Sequence, residues 1–203
     1  ITSKIIVDNA SPFLSLSLRF GIVALLFFLF FIFFSKDKYI SLKAFKNASI
    51  SGLLFHGVYL GGVFFALSKG ISATLIALIV SLQPILTSIL AKIYLNEILT
   101  KFQWIGILLG FSGATIIIIS DLIEGLTAVA FFSGIVGLIS SSLGIIWQKK
   151  IGSDLSLSAN NFIQALSASI FHLLLALVFE KMFMNFSNDF ILAMSWQIFA
   201  VSL

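Results

Sequence analysis

The 203-residue sequence contains no cysteine. Disulfides and thiolate metal sites are therefore excluded. Charge is scarce as well: Asp, Glu, Lys and Arg make up 10% of the chain, against about 25% in an ordinary soluble domain. Hydrophobic residues reach 60%, and the mean hydropathy is +1.16. That imbalance excludes a soluble globular domain. No G-x-x-x-x-G-K-[ST] loop is present, so ATP is not the driver of any activity. His56 and His172 stand far apart, with no acid at metal-ligand spacing, and no Ser/His/Asp or paired-carboxylate arrangement stands out. The sequence thus suggests no enzyme, no cofactor and no metal site. Every acid lies near a helix end, and midplane acids, the usual carriers of proton coupling, are missing.

What remains is a series of long apolar runs. A bilayer core takes about 20 apolar residues as a helix. By that rule the chain is an all-α polytopic bundle with about six complete spans: A at 12–34, B at 48–68, C at 72–95, D at 101–120, E at 129–148 and F at 157–179. Residues 1–9 read as the tail of an earlier helix and 195–203 as the start of a further one, G. The chain opens "ITSKIIVDNASPF", without an initiator Met or a signal-peptide pattern, and closes "SWQIFAVSL". Both ends read as cut, so the sequence is expected to be a fragment of a longer protein. The run "FFLFFIFF" (Phe27 to Phe34) is expected to face lipid.

A formal net charge of +4 invites a nucleic-acid reading. Its source argues otherwise. Eight of the 12 basic residues sit in the A–B, C–D and E–F connectors: Lys36, Lys38, Lys43, Lys46, Lys92, Lys101, Lys149 and Lys150. The positive-inside rule makes that side cytoplasmic, and nucleic acid drops out as a partner. Shifting the sequence by 145 residues brings Lys4 onto Lys149, Ser11 onto Ser156, Arg19 onto Gln164 and Lys36 onto Lys181. The two copies lie five spans apart, an odd number, so they run in opposite directions. Inverted repeats of this kind are typical of secondary transporters, whose sites lie near the midplane.

Several polar residues interrupt the apolar runs. Pro84 leaves the Val80 carbonyl without its helical partner near the bilayer centre. It is either a hinge beside a midplane cavity or a tolerated kink. Gln83 and Thr87 share a face four residues apart and either contact substrate or bond to a neighbouring helix. Arg19 is an intramembrane charge; it attracts an anionic group, holds a gate, or snorkels to the near interface. On span B, His56 and Tyr59 are three apart and suit a polar or aromatic solute. Trp147 lines the pathway or sits in the interfacial aromatic belt. On span F, Asn161, Gln164 and His172 share a broad face. Gly57/Gly61 and Gly106/Gly110/Gly113 read as packing seams, and Thr100 with Gln103 as a capping box. Glu97 reads as structural, a partner for Lys101 or Lys92.

The stretch "YLGGVFFALSKGISATLIALIVSLQPILTSILAKIYLNEILTKFQWIGILLGFSGATIII" (Tyr59 to Ile118) resembles an EamA-type repeat of the drug/metabolite transporter superfamily. Its "G-I-S-A" turn, "S-L-Q-P" kink, "L-N-E-I-L-T" connector and "G-I-L-L-G-F-S-G" helix carry the likeness. "SPFLSLSLRFG" (Ser11 to Gly21) is similar to the family's second helix. The resemblance implies ten helices in two inverted five-helix repeats. On that map residues 1–120 are the first repeat lacking most of helix 1, and 121–203 begin the second, truncated in helix 8. It also implies a multi-pass secondary transporter of the cell inner (plasma) membrane. That transporter would export small metabolites, amino acids or similar, by alternating access. The implied partners are a small-molecule substrate and the lipid bilayer, with room for a homodimer. The competing reading is a non-transporting intramembrane enzyme or a membrane scaffold.

Overall fold

In oil an unpaired backbone N–H or C=O costs several kcal/mol, so an apolar run long enough to span must close its hydrogen bonds as a helix. The computed structural model describes residues 2–35, 39–96, 100–106, 108–110, 112–113, 127–151 and 155–202. Among these, five helices are long and apolar enough to cross a membrane. They are α2 (Pro12–Phe34), α3 (Leu42–Ser68), α4 (Ala73–Leu95), α5 (Ala128–Ile151) and α6 (Leu157–Phe179). A short α1 (Thr2–Asn9) precedes them and α7 (Asn188–Trp196) follows. The protein is an all-α polytopic membrane protein. Its Phe-rich α2 terminus points outward, with Phe33 and Phe34 more than 70% exposed.

Spans A and F have the boundaries read from sequence, and C differs by one residue. Three others begin or end elsewhere. Span B starts six residues earlier than expected, because Ser41 caps α3 by accepting from the Ala44 N–H at 3.1 Å. Its first turns carry Lys43 and Lys46, and a hydropathy reading does not see polar helix. Span E continues through Lys149 and Lys150, cations that suit a helix C-terminus. Span G begins at Asn188, with the Ser187 side chain accepting from Phe190 N–H at 3.2 Å. Within span D, residues 101–106, 108–110 and 112–113 are helical, and the rest lies outside the described residues. The Thr100–Gln103 capping box forms, with Thr100 N–H donating to Gln103 Oε1 at 2.7 Å and Gln103 N–H to Thr100 Oγ1 at 3.3 Å. Lys36, Asp37, Lys38, Glu97, Asp121, Glu124 and Asp154, and the expected repeat boundary at 120/121, also lie outside the described residues.

Helices α2 and α6 pack antiparallel, and their bounds stand 145 residues apart. Pro12 and Phe34 bound one helix; Leu157 and Phe179, each 145 residues on, bound the other. Near the crossing, Ser17 Oγ donates to Ser169 O at 3.1 Å and Ser169 Oγ to Ser17 O at 2.9 Å. At one end Ser35 and Ser156 share a hydroxyl bond of 3.0 Å. At the other, Ser11 Oγ donates to Lys181 O at 3.1 Å. The Glu180 carboxylate also caps α2 there, accepting Phe13 N–H at 2.8 Å and Leu14 N–H at 3.0 Å. Both oxygens thus take orphan N–H groups at the positive end of the helix dipole. Glu180→Ala is expected to cost about 1–2 kcal/mol of stability, and Glu180→Gln less, since one amide oxygen remains. Thermal unfolding of the purified protein checks the order; equal midpoints for all three proteins would refute the cap.

The remaining helices wrap this pair. The α1–α2 turn binds the segment before α7, with Ser11 N–H donating to Phe183 O and Asn185 N–H to Asn9 O, both at 2.8 Å. Helix α5 lies along α3 by one face. Ser140 Oγ donates to Leu54 O at 2.8 Å, Trp147 Nε1 donates to Asn47 O at 3.3 Å, and Gly137 sits under Tyr59 O. Small residues let helices approach closely where lipid offers no hydrophobic drive to associate. The backbone-to-backbone approaches lie outside the expected seams. Gly57 and Gly61 meet side chains of α6, Gly110 meets the tip of Ile85, and nothing among the described residues lies within 4 Å of a Cβ at Gly106 or Gly113. Backbone meets backbone at Gly52 against Gln164, and at Gly62 and Gly137 between α3 and α5. The helix of α4 is interrupted at Leu82, two residues before Pro84. It ends at Asn96, whose φ of 55° makes the left-handed turn that closes many helices.

Candidate functional site

Helix α3 is not α-helical throughout. Leu53–Val58 winds as a π-helix, and so do residues Gln197–Ser202 after α7. Such turns are uncommon and often mark functional positions. Neighbours stabilise the first one: Leu54 O accepts from Ser140 Oγ at 2.8 Å and His56 O from His172 Nε2 at 3.1 Å. His172 is fully buried, with its ring parallel to those of Phe13 and Phe20.

Both π turns face one cavity of about 440 Å³, within the size range of small-molecule sites. The first turn contributes Phe55 and His56, the second Gln197, Val201 and Ser202. Tyr59 and Phe64 come from the rest of α3, Thr2 and Ser3 from α1, Asn161 from α6, and Arg19, Phe20, Val23 and Phe27 from α2. Arg19 lies seven residues from Pro12 and Tyr59 nine from Ser68, so at about 1.5 Å per residue the cavity sits well inside the membrane-spanning layer.

Arg19 is 4% exposed. Its Nε–H and one Nη2–H donate to Ser202 Oγ at 3.0 and 2.8 Å, and Nη1 donates to Gln197 Oε1 at 2.6 Å. Its guanidinium carbon stands 5.2 Å from the Phe20 ring centroid. Gln197 is anchored in turn, its Nε2 donating to Ser3 Oγ at 2.9 Å and Thr2 Oγ1 at 3.3 Å. Every acceptor on Arg19 is neutral; the ion pair among the described residues joins Lys4 to Asp8 at 2.8 Å. The His56 ring packs 5.0 Å from Phe20. Neither that ring nor the Tyr59 hydroxyl is hydrogen-bonded among the described residues, so both present open polar atoms to the cavity.

Three of the residues expected at a site, Arg19, His56 and Tyr59, thus come together. Asn161 joins them, while Gln164 lies buried against Gly52 and Gln148. Gln83, Pro84 and Thr87 lie on the second half of α4 and are not part of the lining. Trp147 is spent on Asn47 O at the lysine-rich end of α3. A smaller chamber of about 210 Å³ adjoins the cavity, walled on one side by Ala73, Ile76, Ala77 and Val80 of α4. Ser3, Tyr59 and Val63 line both spaces, so Tyr59 stands between them. A groove of about 510 Å³ between Phe13, Phe65, Phe132 and Phe171 is larger but carries no charged side chain among the described residues. Gln197 and Ser202 escaped the sequence reading. The signal for Gln197 was the one used for Gln83, an amide inside an apolar run, but it only counts once α7 is known to begin nine residues earlier.

A model of the EamA-like transporter family matches residues 1–119. Over 134 residues the chain is 34% identical to the uncharacterized transporter YyaM of Bacillus subtilis (strain 168), a match covering 65% of this chain and 43% of that relative. The chain therefore spans less than half the length of the curated relative it matches. The family match runs over Arg19, both halves of α4 and the π turn with His56 and Tyr59, and with more than half its residues inside that model the chain belongs to the EamA-like transporter family.

Proposed function

We propose that the protein is a secondary transporter exporting a small metabolite, of amino-acid size, across the cell membrane by alternating access. The observation that carries this reading is the mid-depth cavity in which Arg19, His56 and Tyr59 offer unspent polar groups between two π turns. Broken helical geometry at membrane depth is tolerated where it lines a cavity, and transporter sites use it. The 145-residue spacing of the α2 and α6 bounds supports a frame of inverted repeats, which the family resemblance extends to ten helices. In this scheme the solute sits against His56 and leaves past Tyr59 into the small chamber. Helix α4 bends about Leu82–Pro84 to open that chamber, and Gln83 and Thr87 meet the solute in the bent state.

His56→Ala and Tyr59→Ala in the full-length protein test the reading in proteoliposomes. His56→Ala is expected to lower solute affinity about tenfold, the worth of one good polar contact. Tyr59→Ala is expected to raise leak between the two spaces. Unchanged flux and selectivity in both variants, at normal expression, would sink the proposal.

A further inference from the structure

The proposed solute site has a charge imbalance that narrows what it can hold. Resting on the transport reading above, we infer that the solute is a net anion, a small carboxylate with an apolar tail, and that the zwitterion of the same skeleton is disfavoured.

Arg19 carries the positive side of the argument. It is buried, two of its five N–H donors have no partner among the described residues, and its acceptors are an amide and a hydroxyl. A buried charge that lacks a counter-charge is held at a cost, and a carboxylate fits a guanidinium edge in two parallel bonds. The cavity walls carry the other side. Among the described residues, no Asp or Glu lines the cavity. Among the described residues, Asp8 is paired with Lys4, Glu180 caps α2, and Asp189 lies exposed in the first turn of α7. An ammonium held one carbon from the docked carboxylate would sit beside the guanidinium in a wall offering only neutral acceptors. Like charge and incomplete solvation both oppose it. Past the carboxylate, Phe27, Phe55, Phe64 and Val201 offer an apolar surface for a tail. An anion therefore satisfies Arg19 and leaves nothing charged unpaired, whereas an amino acid brings a cation with no partner.

Matched trios isolate each charge. The full-length protein is tested with 4-methylpentanoate, leucine and 3-methylbutylamine, and with propionate, alanine and ethylamine. Phenylpropionate, phenylalanine and phenylethylamine form the aromatic set. Ligand-dependent thermal shift in detergent reports binding, and counterflow in proteoliposomes reports transport. In at least one trio the carboxylate is expected to bind about tenfold or more tightly than its amino acid, the worth of one charge-assisted contact. Arg19→Gln is expected to erase that preference. Arg19→Lys, which keeps the charge, is expected to retain the preference at weaker affinity; it decides the matter if Arg19→Gln does not fold. The inference is overturned if no carboxylate binds, or if an amino acid or amine binds best in every trio. An amino acid that wins while His56→Ala still alters its transport overturns the anion assignment and leaves the cavity reading intact. Transport indifferent to His56 and Tyr59 overturns the cavity reading itself.

Discussion

Arg19→Met is expected to cut transport about 10- to 100-fold while leaving the protein as stable as before, or more stable. The two halves of that expectation have separate origins. A hydrogen bond to a charged group is worth about 1.5–3 kcal/mol, which sets the loss of solute binding. Stability responds to a different balance. Replacing a buried charge by an apolar side chain of similar length is often neutral or stabilising by about 1–4 kcal/mol, because the desolvation cost disappears. Methionine is flexible enough to fill the space beside Phe20 and makes favourable sulfur–ring contacts. The groups left behind are few. Ser202 Oγ still donates to Gln197 O at 2.9 Å, and Gln197 Nε2 keeps Ser3 and Thr2. Gln197 Oε1 loses its donor, at about 1–3 kcal/mol if it stays buried and dry, and Ser202 Oγ loses the two Arg19 N–H groups it accepted while keeping its own donation. Flux in proteoliposomes and the thermal midpoint in detergent are measured on the same preparation. A variant that loses both transport and fold would make Arg19 a brace between α2 and the π turn after α7, and would remove its role at the solute.

Why Arg19 was legible in the sequence and Gln197 was not is a matter of depth and direction. Polar residues in an apolar run declare their depth, and Arg19, His56 and Tyr59 were identified that way. Gln83 declared itself by the same logic, yet the structure puts it on the far half of α4, because depth says nothing about which neighbour a face meets. Gln197 was not singled out, because the apolar template opens the last span at 195, seven residues after α7 begins. The spans A and F were readable to the residue because each begins directly after a serine, Ser11 or Ser156, and runs unbroken to a polar stop. The start of α3 was not, since its first two turns carry lysines and asparagine that an apolar template rejects. The π turns have no compositional signature; the first is held by Ser140 and His172, which reach across from other helices to the carbonyls of Leu54 and His56. The same holds for the cap on α2. Glu180 lies 167 residues from Phe13, and nothing local in "NASPF" announces it. The 145-residue offset was visible as a handful of matched residues, and the bounds of α2 and α6 differ by the same number.

Gly52→Ala is expected to be among the most damaging single-methyl additions in the chain. A Cβ at Gly52 would lie 2.5 Å from both Cα and O of Gln164, and 2.9 Å from its carbonyl carbon. All three are backbone atoms of α6, so no rotamer relieves the contact and the two helices must part. Overpacking of this kind costs about 1–3 kcal/mol and sometimes more, against roughly 1 kcal/mol gained from alanine's helix preference. Two comparison variants separate sterics from the mere loss of a glycine. At Gly110 the added Cβ would approach Ile85 Cδ1 to 2.7 Å, but that is the end of a flexible side chain, so Gly110→Ala should cost little. At Gly106 nothing among the described residues lies within 4 Å, and alanine should be neutral. Thermal midpoints are expected to fall in that order, and equal midpoints for Gly52→Ala and Gly110→Ala would refute the backbone contact. The consequence reaches the cavity. Gly52 lies four residues before His56, one turn below it on α3, and Gln164 lies three residues after Asn161 on α6. The contact therefore sets the distance between two walls of the site. Whatever fraction of Gly52→Ala reaches the membrane folded should hold its solute more weakly than the wild type, because His56 and Asn161 no longer face each other at the spacing the close approach imposes.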